Sequence, residues 1–428
     1  MITQRFARLA AAALVIASPA GAQSLSQRVA SAPDGLVQFT FAARAGVCGN
    51  GRTFISTGPN SYVGSFYGTF DESVRREPCA NGPVRVVLNR ADRNVIDVKT
   101  YVGPADKTAG ANDLGAVPAR EAADFLLSLA SKTDGRPGRD AIFPAMLADS
   151  AQVQPQLLTL ARDQSRSRET RSSAISWLGR DGEERNAAGS RVASALAEIA
   201  KDATDNQQVR RQAMGVLSRL DRGDGIPALI EISRTTGDAW LAKQSMSTLA
   251  NSGDPRARTY LRAAAGRTDL VDEVRTAAIR GIGHDYATSD DAAFLRSLYP
   301  KLSSETSREA VIESLVQMGG AENVRWLTGV AKDESATSRD RRRALGGLVR
   351  AGASTADLVS LYDGTKDADA KGAIISALVQ SGDKVAVDKL ISIAKTEEDR
   401  SVRRRVITSL SRSEDPRVKA LLADLVER

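Results

Sequence analysis

The stretch LAEIAKDATDNQQVRRQAMGVL, residues 196–217, reads as a short apolar helix, a polar turn and a second apolar helix. Leu196, Ile199 and Ala200 lie three to four residues apart, the spacing of one helix face, and Val209, Ala213, Met214 and Leu217 repeat that spacing after the turn. The pattern returns along the chain. First-helix anchors stand at Leu126, Leu157, Leu196, Leu229, Leu261, Leu295, Leu327, Leu358, Leu390 and Leu421, 31 to 34 residues apart except for one step of 39. A second column runs Phe143, Ile175, Met214, Met246, Ile279, Ile312, Leu345, Ile375 and Ile407, with Met146, Leu178, Leu217, Leu249, Ile282, Leu315, Leu348, Leu378 and Leu410 three residues later. The long step contains the extra segment Asp181 to Gly189, whose glycines and charges predict an enlarged loop.

Two columns sharing one period predict an α-solenoid over residues 118–428, because each helix pair exposes an apolar face that only the next pair can cover. The fold class expected is therefore an all-α superhelical solenoid of about nine helix pairs. The residues also carry a family resemblance. Val209-Arg210-Arg211-Gln212-Ala213, Val274-Arg275-Thr276-Ala277-Ala278 and Val402-Arg403-Arg404-Arg405-Val406 resemble the opening of the second helix in HEAT repeats, above all the short HEAT-like repeats of phycobilin lyases. Gly253-Asp254-Pro255-Arg256-Ala257 and Glu414-Asp415-Pro416-Arg417-Val418 resemble the turns of those repeats. The resemblance implies fold far more than activity, since the family includes scaffolds, adaptors and a few enzymes.

Arg171, Arg210, Arg275, Arg308, Arg341, Lys371 and Arg403 occupy one position of successive units, with Ala242 the exception and Lys243 one place later. An identical residue in nearly every unit is expected to form a buried ladder, bonding loop carbonyls or an upstream acid such as Asp205, Asp272 or Asp399. Such a ladder is also what the HEAT resemblance implies.

Residues 36–103 have a different texture. Val37 to Phe41 alternates, Tyr62 to Phe70 is aromatic and glycine-rich, and Val84 to Leu88 faces Val95 to Val102 across a turn over Asn89 to Asn94. This predicts a small β-rich module with a hairpin, followed by a linker at residues 104–117. Ahead of it, Arg5 and Arg8, the apolar run Leu9 to Ala17 and Ala20-Gly21-Ala22 have the layout of a signal peptide over residues 1–22, with residues 23–35 as an N-terminal segment. Export to the periplasm or the outside is the expectation, with no transmembrane segment in the mature chain. In an oxidising compartment Cys48 and Cys79, the two cysteines, are expected to pair.

Composition bounds the chemistry. A single histidine, His284, excludes sites built on several histidines, and aromatics reach only 4%. His284, Asp285, Asp290 and Asp291 lie close in sequence, but without the regular ligand spacing of a calcium loop a solvated turn is expected. Trp177, Trp240 and Trp326 are expected to pack. No catalytic residue, cofactor or metal is expected. The net charge is +7, yet residues 118–428 carry 47 basic against 44 acidic side chains, which is no nucleic-acid footprint. The densest local cations, Arg342 and Arg343 with Arg404 and Arg405, project beyond the ladder and are the candidate partner contacts. The reading is an exported, non-enzymatic scaffold or adaptor binding a protein partner through its solenoid surface, with an anionic envelope polymer as a rival ligand. The competing class is an enzyme, lyase-like, isomerase-like or hydrolytic, with its site between module and solenoid.

Overall fold

The computed structural model describes residues 23–52, 54–58, 61–63, 79–104, 108–180 and 188–427. The signal-peptide reading, most of the Tyr62 to Phe70 segment and residues 181–187 of the enlarged loop lie outside them. The chain forms two compact units, Met1–Trp177 and Leu178–Arg428.

The first unit opens with α1 (Leu25–Ser31), started by a capping box in which Ser24 and Gln27 bond each other's backbone. The strands are β1 (Gly35–Phe41), β2 (Cys48–Gly49), β3 (Ile55–Gly58), β4 (Ser61–Val63), β5 (Val84–Ala91), β6 (Asn94–Val102) and β7 (Asn112–Ala116). One sheet runs β6-β5-β1-β7 and a smaller one β2-β3-β4. β5 and β6 form the expected hairpin with a tighter turn than the sequence indicated. Only Asp92 and Arg93 are unpaired, both at positive φ (51° and 64°), the backbone of a two-residue turn that matches strand twist. The linker expectation is corrected at residues 112–116, which pair in parallel with β1, Val37 opposite Asn112. Their Asn, Asp and Gly content has little strand preference, so the pairing with β1 makes the strand. Gly103, at φ +107°, leaves room for the Gly49 carbonyl where a side chain would collide.

Cys48 and Cys79 are disulfide-bonded, S–S 2.02 Å. In the chain-entropy model, closing a loop of 31 residues contributes about 3–4 kcal/mol. Alkylation of the denatured, unreduced chain should therefore add no label, and prior reduction should admit two. Mass spectrometry reads the count, and label without reduction would remove the bond.

The sheet packs on helices of its own unit. The helices that follow it are α2 (Ala119–Lys132), α3 (Arg136–Met146), α4 (Gln154–Arg162) and α5 (Arg168–Leu178), and α2 and α3 meet the sheet. Phe39 meets Phe125 edge-on at 6.0 Å, Glu121 accepts from the Leu25 amide, and Ala43 bridges Ala148. A module this small gains from such a partner, because few of its own residues can be buried without one.

The second unit continues in pairs: α6 (Ala188–Lys201) with α7 (Gln207–Leu217), α8 (Ile226–Thr235) with α9 (Ala239–Ala250), α10 (Pro255–Gly266) with α11 (Asp272–Ile282), and α12 (Ser289–Leu298) with α13 (Glu305–Met318). Then come α14 (Ala321–Lys332) with α15 (Ser338–Gly347), α16 (Thr355–Asp363) with α17 (Ala368–Ser381), α18 (Lys384–Thr396) with α19 (Arg400–Leu410), and α20 (Pro416–Glu427). Polar caps set the starts: Asp238, Asp254, Ser304, Thr337, Asp367, Asp383 and Asp399 each accept from first-turn amides. Both apolar columns are buried throughout, apart from half-buried Ile407 near the last pair, where fewer neighbours remain to cover it.

Second helices of neighbouring units touch closely at small residues. A Cβ on Gly283 would collide with Ser314, and one on Gly347 with Val316. Ridges of α9, α11, α13, α15, α17 and α19 consequently lie side by side, each packed on the next.

Candidate functional site

The ladder cations close the turn inside each pair. Arg171 Nε donates to Ala161 O and Arg210 Nε to Ala200 O, both at 3.0 Å and both ten residues upstream, at the end of the first helix. Arg308 donates to Leu302 and Ser303, Arg341 to Glu334 and Ala336, and Arg403 to Glu397, in every case to backbone oxygens. These carbonyls at and beyond a helix end would otherwise lack donors. The expected acid partners need revision. Asp272 does bond Arg275 at 3.2 Å, whereas Asp205 does not bond Arg210 and Asp399 does not bond Arg403, and both acids accept from backbone amides near their own helix starts.

Arg210 and Arg308, and Lys371 with them, also reach forward into the following repeat, where Arg210 meets Asp238 (3.1 Å), Arg308 meets Asp340 (2.8 Å) and Lys371 meets Glu397 (2.8 Å). Burial raises the Glu397 carboxyl, but Lys371 and the Tyr362 hydroxyl outweigh it and hold the group below its ordinary value. Tyr299 is pushed up to about 12 by burial and the Asp340 carboxylate. The ladder is thus a staple within and between units, its charge already used by the fold.

The outward ridge carries a second, partly exposed network around buried Glu309. Arg280 of α11 pairs with Glu313 of α13 (3.5 Å), Glu313 with Arg343 of α15 (3.1 Å), Arg343 with Glu309 (3.6 Å), and Glu309 also with Arg339. Arg339 extends it to Glu305 at 3.4 Å. Of the four candidate arginines, Arg343 is therefore tied to α13, whereas Arg342, Arg404 and Arg405 are exposed and have no carboxylate within 4.0 Å among the described residues. Arg342 and Arg343 lie on α15 and Arg404 and Arg405 on α19, with α17 between them. The structure does not join the four into one cluster.

The acids near His284 separate as well. Asp291 is fully buried, receives Arg258 (2.5 Å) and Arg262 (2.6 Å) from α10, and caps α12 through Thr288. It has no capacity left for calcium. Asp285 stays exposed, with Oδ2 3.6 Å from His284 Nδ1. His284 borders a groove of about 480 Å³ between the α11–α12 and α13–α14 turns, where Arg296 is held by Asn323 and Glu322. The tryptophans pack: Trp177 stacks on Phe143 at 5.5 Å, Trp326 meets Tyr299 at 5.1 Å, and Arg210 lies over Trp240 at 4.7 Å. No helix among the described residues is long and apolar enough to cross a membrane.

The family match falls within the helical repeats. The HEAT repeats family matches residues 193–283 and 355–428. No curated protein matches the chain. Similar solved structures include human deoxyhypusine hydroxylase (17% identity, 61% of this chain and 95% of that one, TM-score 0.26). The CpcE–CpcF complex of phycocyanin lyase from Nostoc sp. PCC7120 gives 18% identity over 59% and 94% of the chains, TM-score 0.28. Kap121p gives 11% identity over 68% of this chain and 36% of that one, TM-score 0.39. With its two-column core and arginine-closed turns, the helical part of this chain is a solenoid of HEAT-like helix pairs, and residues 193–283 and 355–428 match HEAT repeats.

Proposed function

We propose that the chain is an exported, non-enzymatic scaffold or adaptor that binds a protein partner through its solenoid, residues 118–428 being the binding part. The observation that carries this reading is the ridge of side-by-side second helices, whose buried faces and ladder are committed to the stack while a continuous outer surface is left for contacts. Export is supported by the basic, apolar and small-residue order of residues 1–22 together with the Cys48–Cys79 bond, which suits an oxidising compartment.

The test is capture from envelope extract with the mature chain as bait. Exposed charges predict that rising salt weakens capture. Arg342→Glu with Arg404→Glu should lower capture while melting stays within about 0.5 kcal/mol of wild type, because neither side chain supports the fold. Arg343 is left unchanged, because its reversal would also break its pairs with Glu309 and Glu313. Salt-independent capture that the double variant leaves intact would overturn a role for this surface. Capture of anionic polymer without protein would favour the rival ligand.

A further inference from the structure

The two arginine pairs occupy the same register. Arg342 and Arg343 follow the ladder residue of α15 by one and two places, and Arg404 and Arg405 follow that of α19 in the same way. On α17, which packs against both helices, those places hold Gly372 and Ala373. The next outward position is small on all three: exposed Gly346, Ser376 and Thr408. Cations thus stand on both sides of a lane whose exposed positions, Gly346, Ser376 and Thr408, are small.

Arg405 leans into this lane. Its guanidinium lies against buried Gly372, and a Cβ on Gly372 would overlap it. On the α13 side the ridge is neutralised by Glu305, Glu309 and Glu313, but the acid on α17, Asp369, stands a turn earlier in the helix and pairs with none of Arg342, Arg404 and Arg405 within 4.0 Å. Positive charge changes from paired to unpaired between α15 and α19.

We infer that the lane over α17, between Arg342 on α15 and Arg404 and Arg405 on α19, binds an acidic peptide segment of the partner. This rests on the scaffold reading and specifies its contact. Guanidinium groups present planar, paired donors that match carboxylates, and small residues in the lane let a peptide backbone approach closely. A chain with acidic side chains on both edges would meet arginines on each side.

Fluorescence anisotropy of a fluorescein-labelled, glutamate-rich peptide tests it on the mature chain. The triple variant Arg342→Ala, Arg404→Ala, Arg405→Ala should weaken binding about tenfold. Gly372→Leu should weaken it with all arginines kept, by displacing the Arg405 guanidinium that lies against Gly372. Arg280→Ala with Arg296→Ala, which removes charge elsewhere, should stay within about twofold of wild type. Thermal melts check that each variant folds, and the triple variant suffices if Gly372→Leu does not. Equal loss in the control pair, or equally tight binding of an oligogalacturonate of matching charge, would overturn the inference. Envelope capture separates the two readings: partner captured normally by the triple variant sinks the lane and spares the scaffold, while no partner captured by wild type sinks the scaffold.

Discussion

Ile282→Asp is expected to unfold more than the helix that carries it. Ile282 ends α11 and is only 3% exposed, and α11 packs against α9, α10 and α13, members of three different repeats. The substitution removes about 2–3 kcal/mol of apolar burial and strips a carboxylate of its water at a buried position, at a further cost of several kcal/mol. In a stack each unit's stability is largely its interfaces with the next, so the loss is shared by neighbours. Hydrogen exchange should accelerate from α9 through α13, and the melting transition should broaden or split. Leu217→Asp, at a position with no exposed surface, should do the same around α7. Val385→Asp is the control: that side chain is 55% exposed near the start of α18, and the change should matter by less than about 0.5 kcal/mol. Normal melting of Ile282→Asp would mean that the register of the second helices is wrong.

The columns were legible because they depend on local period alone, and a core residue such as Leu327 declares itself by returning every 31 to 34 residues. The ladder was legible for the same reason, but its acids were not. Asp238, Asp340 and Glu397 lie 26 to 32 residues downstream of their cations, a pairing set by how one unit seats on the next. Arg343 shows the same limit. Its register position could be read, whereas its neutralisation by Glu309 and Glu313 of the preceding unit could not. In the β module the misses came from non-local pairing, since β7 is a strand only because β1 lies beside it. Asp291 is a different case. Thr288 stands three residues before it, the spacing of a capping box, and that signal outweighs resemblance to an acidic loop.

Asp291 is also where a single polar change should cost most. Its carboxylate is fully buried and accepts from Arg258, Arg262 and both the amide and the hydroxyl of Thr288. Asp291→Ala removes the acceptor for two arginines of the preceding repeat and half of the α12 cap. Breaking a fully buried ion pair costs about 3–5 kcal/mol, but Arg258 and Arg262 are 26% and 33% exposed and partly rehydrate, which places the expectation nearer 2–3 kcal/mol. Asp291→Asn keeps an acceptor for Thr288 and should lose roughly half as much. The pH dependence follows from the same groups. Burial raises the Asp291 carboxyl, yet the Thr288 bonds and the two arginines prevail and leave it below its ordinary value, as Ser304, Ser307 and Arg275 do against burial at Asp272. A carboxyl lowered in the folded state stabilises fully above its unfolded value, about 3.9, and that contribution is lost as pH falls through the folded value. Urea unfolding at neutral pH should therefore separate wild type from Asp291→Asn by more than the same measurement well below pH 4, where the wild-type carboxyl is protonated too. A gap of the same size at both pH values would show that Asp291 acts by shape and not by charge.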